Sequence, residues 1–183
     1  IKKKFDKILS MINKTFRKIA MLIEELPPYA ADIKNSLNNT ILAKNEYLSE
    51  NDILGVSLTV GYALKNESLL KYIRSDAKKV LSDEEAHACK IAASTISMTS
   101  IYNFFTRQKI HKDLGMISAD LSLDNLEKHG IGQNEFNMYC LAAATVNRSP
   151  ECIEKYSQRL LKADISLEAI TKITSIVSVL YAV

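Results

Sequence analysis

The chain has 183 residues, of which 47% are hydrophobic and 25% charged, and it contains only 5 Gly, 3 Pro and no Trp. This length indicates a single domain, and the scarcity of Gly, Pro and aromatic residues favours an all-α fold. The formal net charge of +3 is small. Residues 1–20 hold seven basic residues and one acidic residue, so the rest of the chain is slightly acidic, which argues against a nucleic-acid-binding protein.

The cysteines and the hydropathy pattern indicate a reducing compartment. Three cysteines at irregular spacing, Cys89, Cys140 and Cys152, do not form the pattern of a secreted disulfide framework. No apolar run approaches the roughly 20 residues that cross a bilayer. The N-terminal segment is amphipathic rather than continuously apolar, so no signal peptide is expected. We therefore expect a cytoplasmic protein.

Residues 1–20 are predicted to form a basic amphipathic extension to a helical domain of residues 21–183. Their apolar residues recur at helical spacing opposite a lysine-rich face: Phe5, Ile8, Leu9, Ile12, Phe16 and Ile19. The segment is expected to be a surface helix on the body or on a neighbouring subunit, or else a disordered extension. Membrane contact is not expected, because the segment is short and two Phe are its only aromatic anchors.

Capping signals and apolar periodicity predict eight or nine helices and no strand. Helices are expected over 29–39, 51–65 and 67–80. Ser82 and Glu85 form a predicted capping box that begins a long helix ending near 105. Small residues along one side of this helix allow close helix contacts, so we expect it to be central. After an irregular stretch, a short helix over 123–128 is expected to end before Gly130. Helices over 133–147, 152–163 and 166–182 follow.

The segment Ser149-Pro150-Glu151-Cys152 carries the main chemical signal. Ser149 is a preferred N-cap residue and Pro150 suits the first helical position. Cys152 then lies in the first turn, where the positive end of the helix dipole favours a thiolate, whereas the negative charge of Glu151 opposes it. The segment looks like a C-x-x-C redox motif in which serine replaces the first cysteine.

Three stretches of the chain resemble one protein family. Residues 134–156, NEFNMYCLAAATVNRSPECIEKY, are similar to the site region of AhpD-like alkylhydroperoxidases of the carboxymuconolactone decarboxylase superfamily. Residues 26–34 look like the family's Leu-Pro-x-Tyr-Ala-x-Asp-Ile-Lys element, and residues 98–102 stand where the family has a Met-Asn-Asn segment. The resemblance covers residues 21–183. It implies an all-α homotrimer and a peroxidase-type oxidoreductase of antioxidant defence.

The resemblance also implies a mechanism with two cysteines and no bound cofactor. One cysteine attacks a hydroperoxide and becomes a sulfenic acid, and the other resolves it to a disulfide. A Glu–His relay takes the proton of the attacking thiol. The implied partners are a lipoyl-bearing dehydrogenase-complex subunit with its flavoprotein, which reduces the disulfide, or a peroxiredoxin.

Only one of the five matched site positions keeps the family residue. Cys152 matches the second motif cysteine, Ser149 the first, Tyr156 the relay histidine, Glu151 a second histidine, and Asn137 the relay glutamate. Serine cannot form a disulfide, and asparagine cannot accept a proton. A tyrosine with an ordinary pKa of about 10 is a poor general base near neutral pH. We therefore expect the dithiol cycle to be lost.

The sequence leaves several functions open. In one interpretation, Cys152 reacts with the peroxide and an external thiol resolves its sulfenic acid. In the other, the fold has become a catalytically inactive scaffold that binds a partner. Lactone decarboxylation, found elsewhere in the superfamily, would need Glu151 as general base. Cys140 lies three residues after Asn137 on the same helical face, so it is either a resolving thiol or a buried apolar residue. The three histidines have no metal-ligand spacing, and no metal site is expected.

Overall fold

A computed structural model describes residues 14–108 and 110–183, and within them the chain is helical with no strand. The all-α prediction is confirmed. The eight α-helices of the described residues are α1 (Arg17–Glu25), α2 (Ala31–Leu37), α3 (Glu50–Leu64), α4 (Glu67–Ala77), α5 (Asp83–Thr106), α6 (Gln133–Val146), α7 (Pro150–Lys162) and α8 (Leu167–Tyr181). None of the described helices is both long enough and apolar enough to pass through a bilayer.

Helices α3, α5 and α6 meet at the centre of the core. Gly55 of α3 lies so close to α6 that a Cβ there would overlap the Tyr139 ring. The Cys89 thiol of α5 donates to the Gly55 carbonyl oxygen at 3.3 Å. Small residues at these crossings let the backbones approach, as the alanine- and serine-rich side of α5 predicts. The capping box of Ser82 and Glu85 is present at the start of α5.

A buried carboxylate of α4 fixes the start of α1. The Asp76 side chain is fully buried and accepts hydrogen bonds from the backbone N–H groups of Lys18 (2.6 Å) and Ile19 (2.9 Å). The Lys79 ammonium pairs with it at 3.1 Å. The predicted boundary between residues 20 and 21 falls inside α1. Of the helical stripe predicted over residues 2–20, residues 2–13 lie outside the described residues. The division into extension and domain stays a prediction.

Two predicted helices differ from the structure. The helix expected over 29–39 consists of a 3₁₀ turn (Pro28–Ala30), α2 and a π-helical turn (Asn38–Leu42). Asn38 and Thr40 there donate side-chain hydrogen bonds to carbonyl oxygens four residues back, which compete with regular helix geometry. The helix expected over 123–128 is a 3₁₀ turn (Asp124–Leu126).

Candidate functional site

The turn between α6 and α7 positions the predicted site. Arg148 has a left-handed backbone (φ 51°), and the Ser149 N–H donates to the Ala144 carbonyl oxygen at 3.1 Å. This Schellman-type ending closes α6 and reverses the chain direction. Pro150 then begins α7 as its first residue, so Cys152 lies in the first helical turn, as predicted.

Cys152 has one polar neighbour that the sequence does not reveal. Its side chain is buried, with 7% exposed. The Asn103 amide nitrogen of α5 lies 4.0 Å from the Cys152 sulfur, within hydrogen-bonding distance for sulfur. The sulfur therefore faces an amide donor and the N-terminal end of α7 rather than hydrocarbon alone.

Ser149 stands at the N-cap position, but its hydroxyl does not cap the helix. The side chain is 4% exposed, and its Oγ has no hydrogen-bond partner. At the three serine N-caps whose hydroxyls do accept a backbone hydrogen bond, ψ lies between 157° and 167°, whereas Ser149 has ψ 99°. The expected capping hydrogen bond is therefore wrong.

Helix α5 joins the α6–α7 segment through contacts on both sides of the turn. The Asn147 amide donates to the Ser97 hydroxyl oxygen at 3.0 Å. The Arg107 guanidinium forms an ion pair with the Glu151 carboxylate. The carboxylate beside Cys152 is thus paired with a positive charge from the C-cap residue of α5. The same ion pair engages the carboxylate that lactone decarboxylation would need as a free base.

Sequence reasoning missed the contribution of α5. Polar residues recur at spacings of three and four along α5 and its C-cap, so they lie along one face of the helix: Ser97, Ser100, Asn103 and Arg107. This polar stripe is visible in the sequence. The residues that it contacts cannot be identified from the sequence, because they lie about 50 residues further along the chain.

Cys140 and Tyr156 form a second, fully enclosed pair next to Cys152. Both side chains are buried, and the Tyr156 hydroxyl lies beside the Cys140 thiol. Burial raises the pKa of the Cys140 thiol to about 12, and it raises the pKa of Tyr156 above its usual value. Both groups therefore stay protonated at neutral pH, and neither acts as a base or an attacking anion there.

Asn137 is buried on α6 and has a partner on its own helix. Its side-chain oxygen accepts from the Gln133 amide at 3.2 Å. No hydrogen bond within the described part of the chain joins Asn137 to Cys152. The site thus brings Cys152 together with Asn103, while Asn137 lies in a separate polar contact.

The described residues contain no group of three or more His, Cys, Asp and Glu side chains able to hold a metal ion. One of the histidines, His129, instead stacks on Phe136 with ring centroids 3.9 Å apart and accepts from the Ile131 N–H at 3.3 Å. The ring is mostly buried. Its role is to pack against the start of α6.

Comparison with known proteins identifies close relatives. The chain is 31% identical over 158 residues to an alkyl hydroperoxide reductase AhpD of Coxiella burnetii, covering 86% of this chain and 89% of the relative. It is 29% identical over 160 residues to the Koribacter versatilis AhpD, covering 87% and 82% respectively. For the Solibacter usitatus AhpD the identity is 26% over 163 residues, with 89% and 91% covered. No protein-family model matches the chain. The similarity spans nearly the whole helical body, and the chain belongs to the AhpD family of alkyl hydroperoxide reductases.

Proposed function

We propose that this chain is an AhpD-like alkyl hydroperoxide reductase of antioxidant defence in which Cys152 is the only reacting cysteine. The observation that carries the proposal is the setting of that sulfur, in the first turn of α7 and beside the Asn103 amide. Ser149 has no sulfur and cannot form a disulfide with Cys152. Cys140 is enclosed beside Tyr156, and burial raises the pKa of its thiol to about 12. The activity is therefore a one-cysteine reaction.

The reaction consumes one hydroperoxide and two external thiols. The Cys152 sulfur attacks the terminal peroxide oxygen, the O–O bond breaks, an S–O bond forms, and the alcohol leaves with the thiol proton. Sulfur loses two electrons and becomes a sulfenic acid. An external thiol then attacks this sulfur and releases water, leaving a mixed disulfide. A second thiol reduces the mixed disulfide and restores Cys152.

The remaining site residues support the sulfur without moving its proton. Asn137 and Tyr156 occupy the relay positions as hydrogen-bonding groups, and Glu151 is paired with Arg107. Loss of a general base typically costs about 10²–10⁴-fold in rate, so we expect a slower peroxidase than a two-cysteine relative. A lipoyl-bearing subunit or a peroxiredoxin supplies the external thiols.

The proposal includes a homotrimer in the cytoplasm. What supports self-association is a group of exposed apolar side chains at the end of α5 and in the segment after it: Ile101, Phe104, Phe105, Ile110, Met116 and Ile117. Clusters of exposed apolar side chains commonly mark interaction sites. Sedimentation at three times the chain mass is the expected result, and a monomer at micromolar concentration contradicts this part of the proposal.

Turnover with and without Cys152 tests the proposed activity. Consumption of cumene hydroperoxide is followed with excess dihydrolipoamide as the dithiol reductant. We expect Cys152→Ser to reduce consumption to the uncatalysed rate. Cys89→Ser is the matched control, because its hydroxyl can still donate to the Gly55 carbonyl far from the site, and it should keep full activity. If the unaltered protein consumes no hydroperoxide and Cys152 is inert to thiol reagents, the chain is a scaffold.

A further inference from the structure

Two buried hydroxyls, one on α5 and one in the turn before α7, have no hydrogen-bond partner. The side chains of Ser100 and Ser149 are 5% and 4% exposed, and neither Oγ forms a hydrogen bond. Leaving a buried hydroxyl unpaired costs about 1–3 kcal/mol. In the described residues only one other buried side-chain atom, Nδ2 of Asn45, shares this state. Two such groups near one reactive sulfur call for an explanation in terms of function.

Their positions on the chain direct both hydroxyls to the same place. On α5, Ser100 lies one turn after Ser97 and one turn before Asn103, on the same helical face. Ser97 contacts the end of α6, and Asn103 contacts the start of α7. Ser100 therefore faces the segment that connects the two helices.

The connecting segment presents Ser149 between the same two contacts. Asn147 contacts Ser97, and Cys152 contacts Asn103. Ser149 lies between them in the chain, and its buried hydroxyl does not cap α7. The chain order thus places both unpaired hydroxyls along the contact in which the Asn103 amide reaches the Cys152 sulfur.

We propose that Ser100, Ser149 and Asn103 form a binding site for the single oxygen atom that Cys152 gains when it becomes a sulfenic acid. This inference rests on the proposed function. A hydroxyl donates to a sulfenate oxygen or accepts from a sulfenic acid proton, and the amide donates to the oxygen. The oxidised site would satisfy hydrogen-bonding groups that are unpaired in the reduced protein.

The consequence is a sulfenic acid that survives until an external thiol arrives. Without a resolving cysteine, the competing reaction is attack of the sulfenate sulfur on a second hydroperoxide. That step forms another S–O bond, releases a second alcohol and yields a sulfinic acid, which thiols do not reduce. Hydrogen bonds to the sulfenate oxygen withdraw electron density from sulfur, so they slow this second oxidation.

Over-oxidation of the two-serine variant tests the proposal. The reduced protein is treated with increasing cumene hydroperoxide without a thiol reductant, and mass spectrometry of the Cys152 peptide gives the ratio of sulfinic to dimedone-trapped sulfenic product. We expect Ser100→Ala/Ser149→Ala to raise this ratio about tenfold, because two hydrogen bonds to the oxygen are lost. Each single variant should raise it less, and the single variants serve if the double variant does not fold. Ser57→Ala is the control, since that buried hydroxyl already donates to the Ile53 carbonyl at 2.7 Å.

The outcomes separate this inference from the proposed function. A sulfinic-to-sulfenic ratio equal to that of the unaltered protein, in variants whose Cys152 still oxidises, overturns the oxygen site and leaves the peroxidase activity standing. No oxidation of Cys152 in the unaltered protein overturns both. Thermal unfolding of the reduced variants is a second check, because removing an unpaired buried hydroxyl should leave stability unchanged or raise it. Clear destabilisation of both reduced single variants contradicts the unpaired state from which the inference starts.

Discussion

At the scale of single residues, Tyr156 shows how burial decides which side chains take part in chemistry. It stands where the resemblance implies a proton-relay histidine, one turn after Cys152. Enclosure next to Cys140 raises its pKa above the usual value of about 10. The hydroxyl therefore holds its proton at every pH at which the protein is expected to work, and its contribution is packing next to Cys140.

Tyr156→Phe should accordingly keep the chemistry and lose some stability. The second-order rate constant for oxidation of Cys152 by cumene hydroperoxide should stay within about threefold of the unaltered protein from pH 6 to 8.5, because no base is lost. The free energy of unfolding should fall by about 1 kcal/mol, because the packing of a buried hydroxyl against its neighbours is lost. Tyr139→Phe, which removes a buried hydroxyl in the core, is the rate control. A drop of 100-fold or more confined to Tyr156→Phe would identify it as a base.

At the scale of secondary structure, α1 depends on a carboxylate from another helix. Phe16 precedes α1 without forming a side-chain cap, and no acidic residue lies in its first turn. Asp76 of α4 satisfies two N–H groups at the start of α1 in its place, and Ile19 is buried beside it. The start of a helix without its own cap is thus satisfied by one long-range contact.

Asp76→Ala should be among the more destabilising single changes in the chain. It leaves two N–H groups of α1 and the Lys79 ammonium without their acceptor, so we expect a loss of about 2–3 kcal/mol in urea unfolding. Asp83→Ala is the matched control, because Asp83 is exposed in the first turn of α5 and interacts mainly with the helix dipole. It should cost less than about 1 kcal/mol. Equal losses in the two variants would refute the capping role of Asp76.

At the scale of the whole molecule, local signals predicted the fold better than the site. The starts of α5 and α7 follow from Ser82 with Glu85 and from Pro150, since caps depend on neighbours in the sequence. The approach of Asn103 to Cys152 joins residues 49 positions apart, and no local pattern predicts such a pairing. Ser149 likewise has the sequence signature of a capping serine, yet its hydroxyl is unpaired in the fold.

The central claim is that Cys152 reacts alone, and counting thiols after a single oxidation tests it most directly. The reduced protein holds three free thiols. One equivalent of cumene hydroperoxide per chain, without reductant, should leave two thiols and one dimedone-trapped sulfenic acid on Cys152. Loss of two thiols with a disulfide between Cys140 and Cys152 would contradict the claim, and so would three thiols left intact.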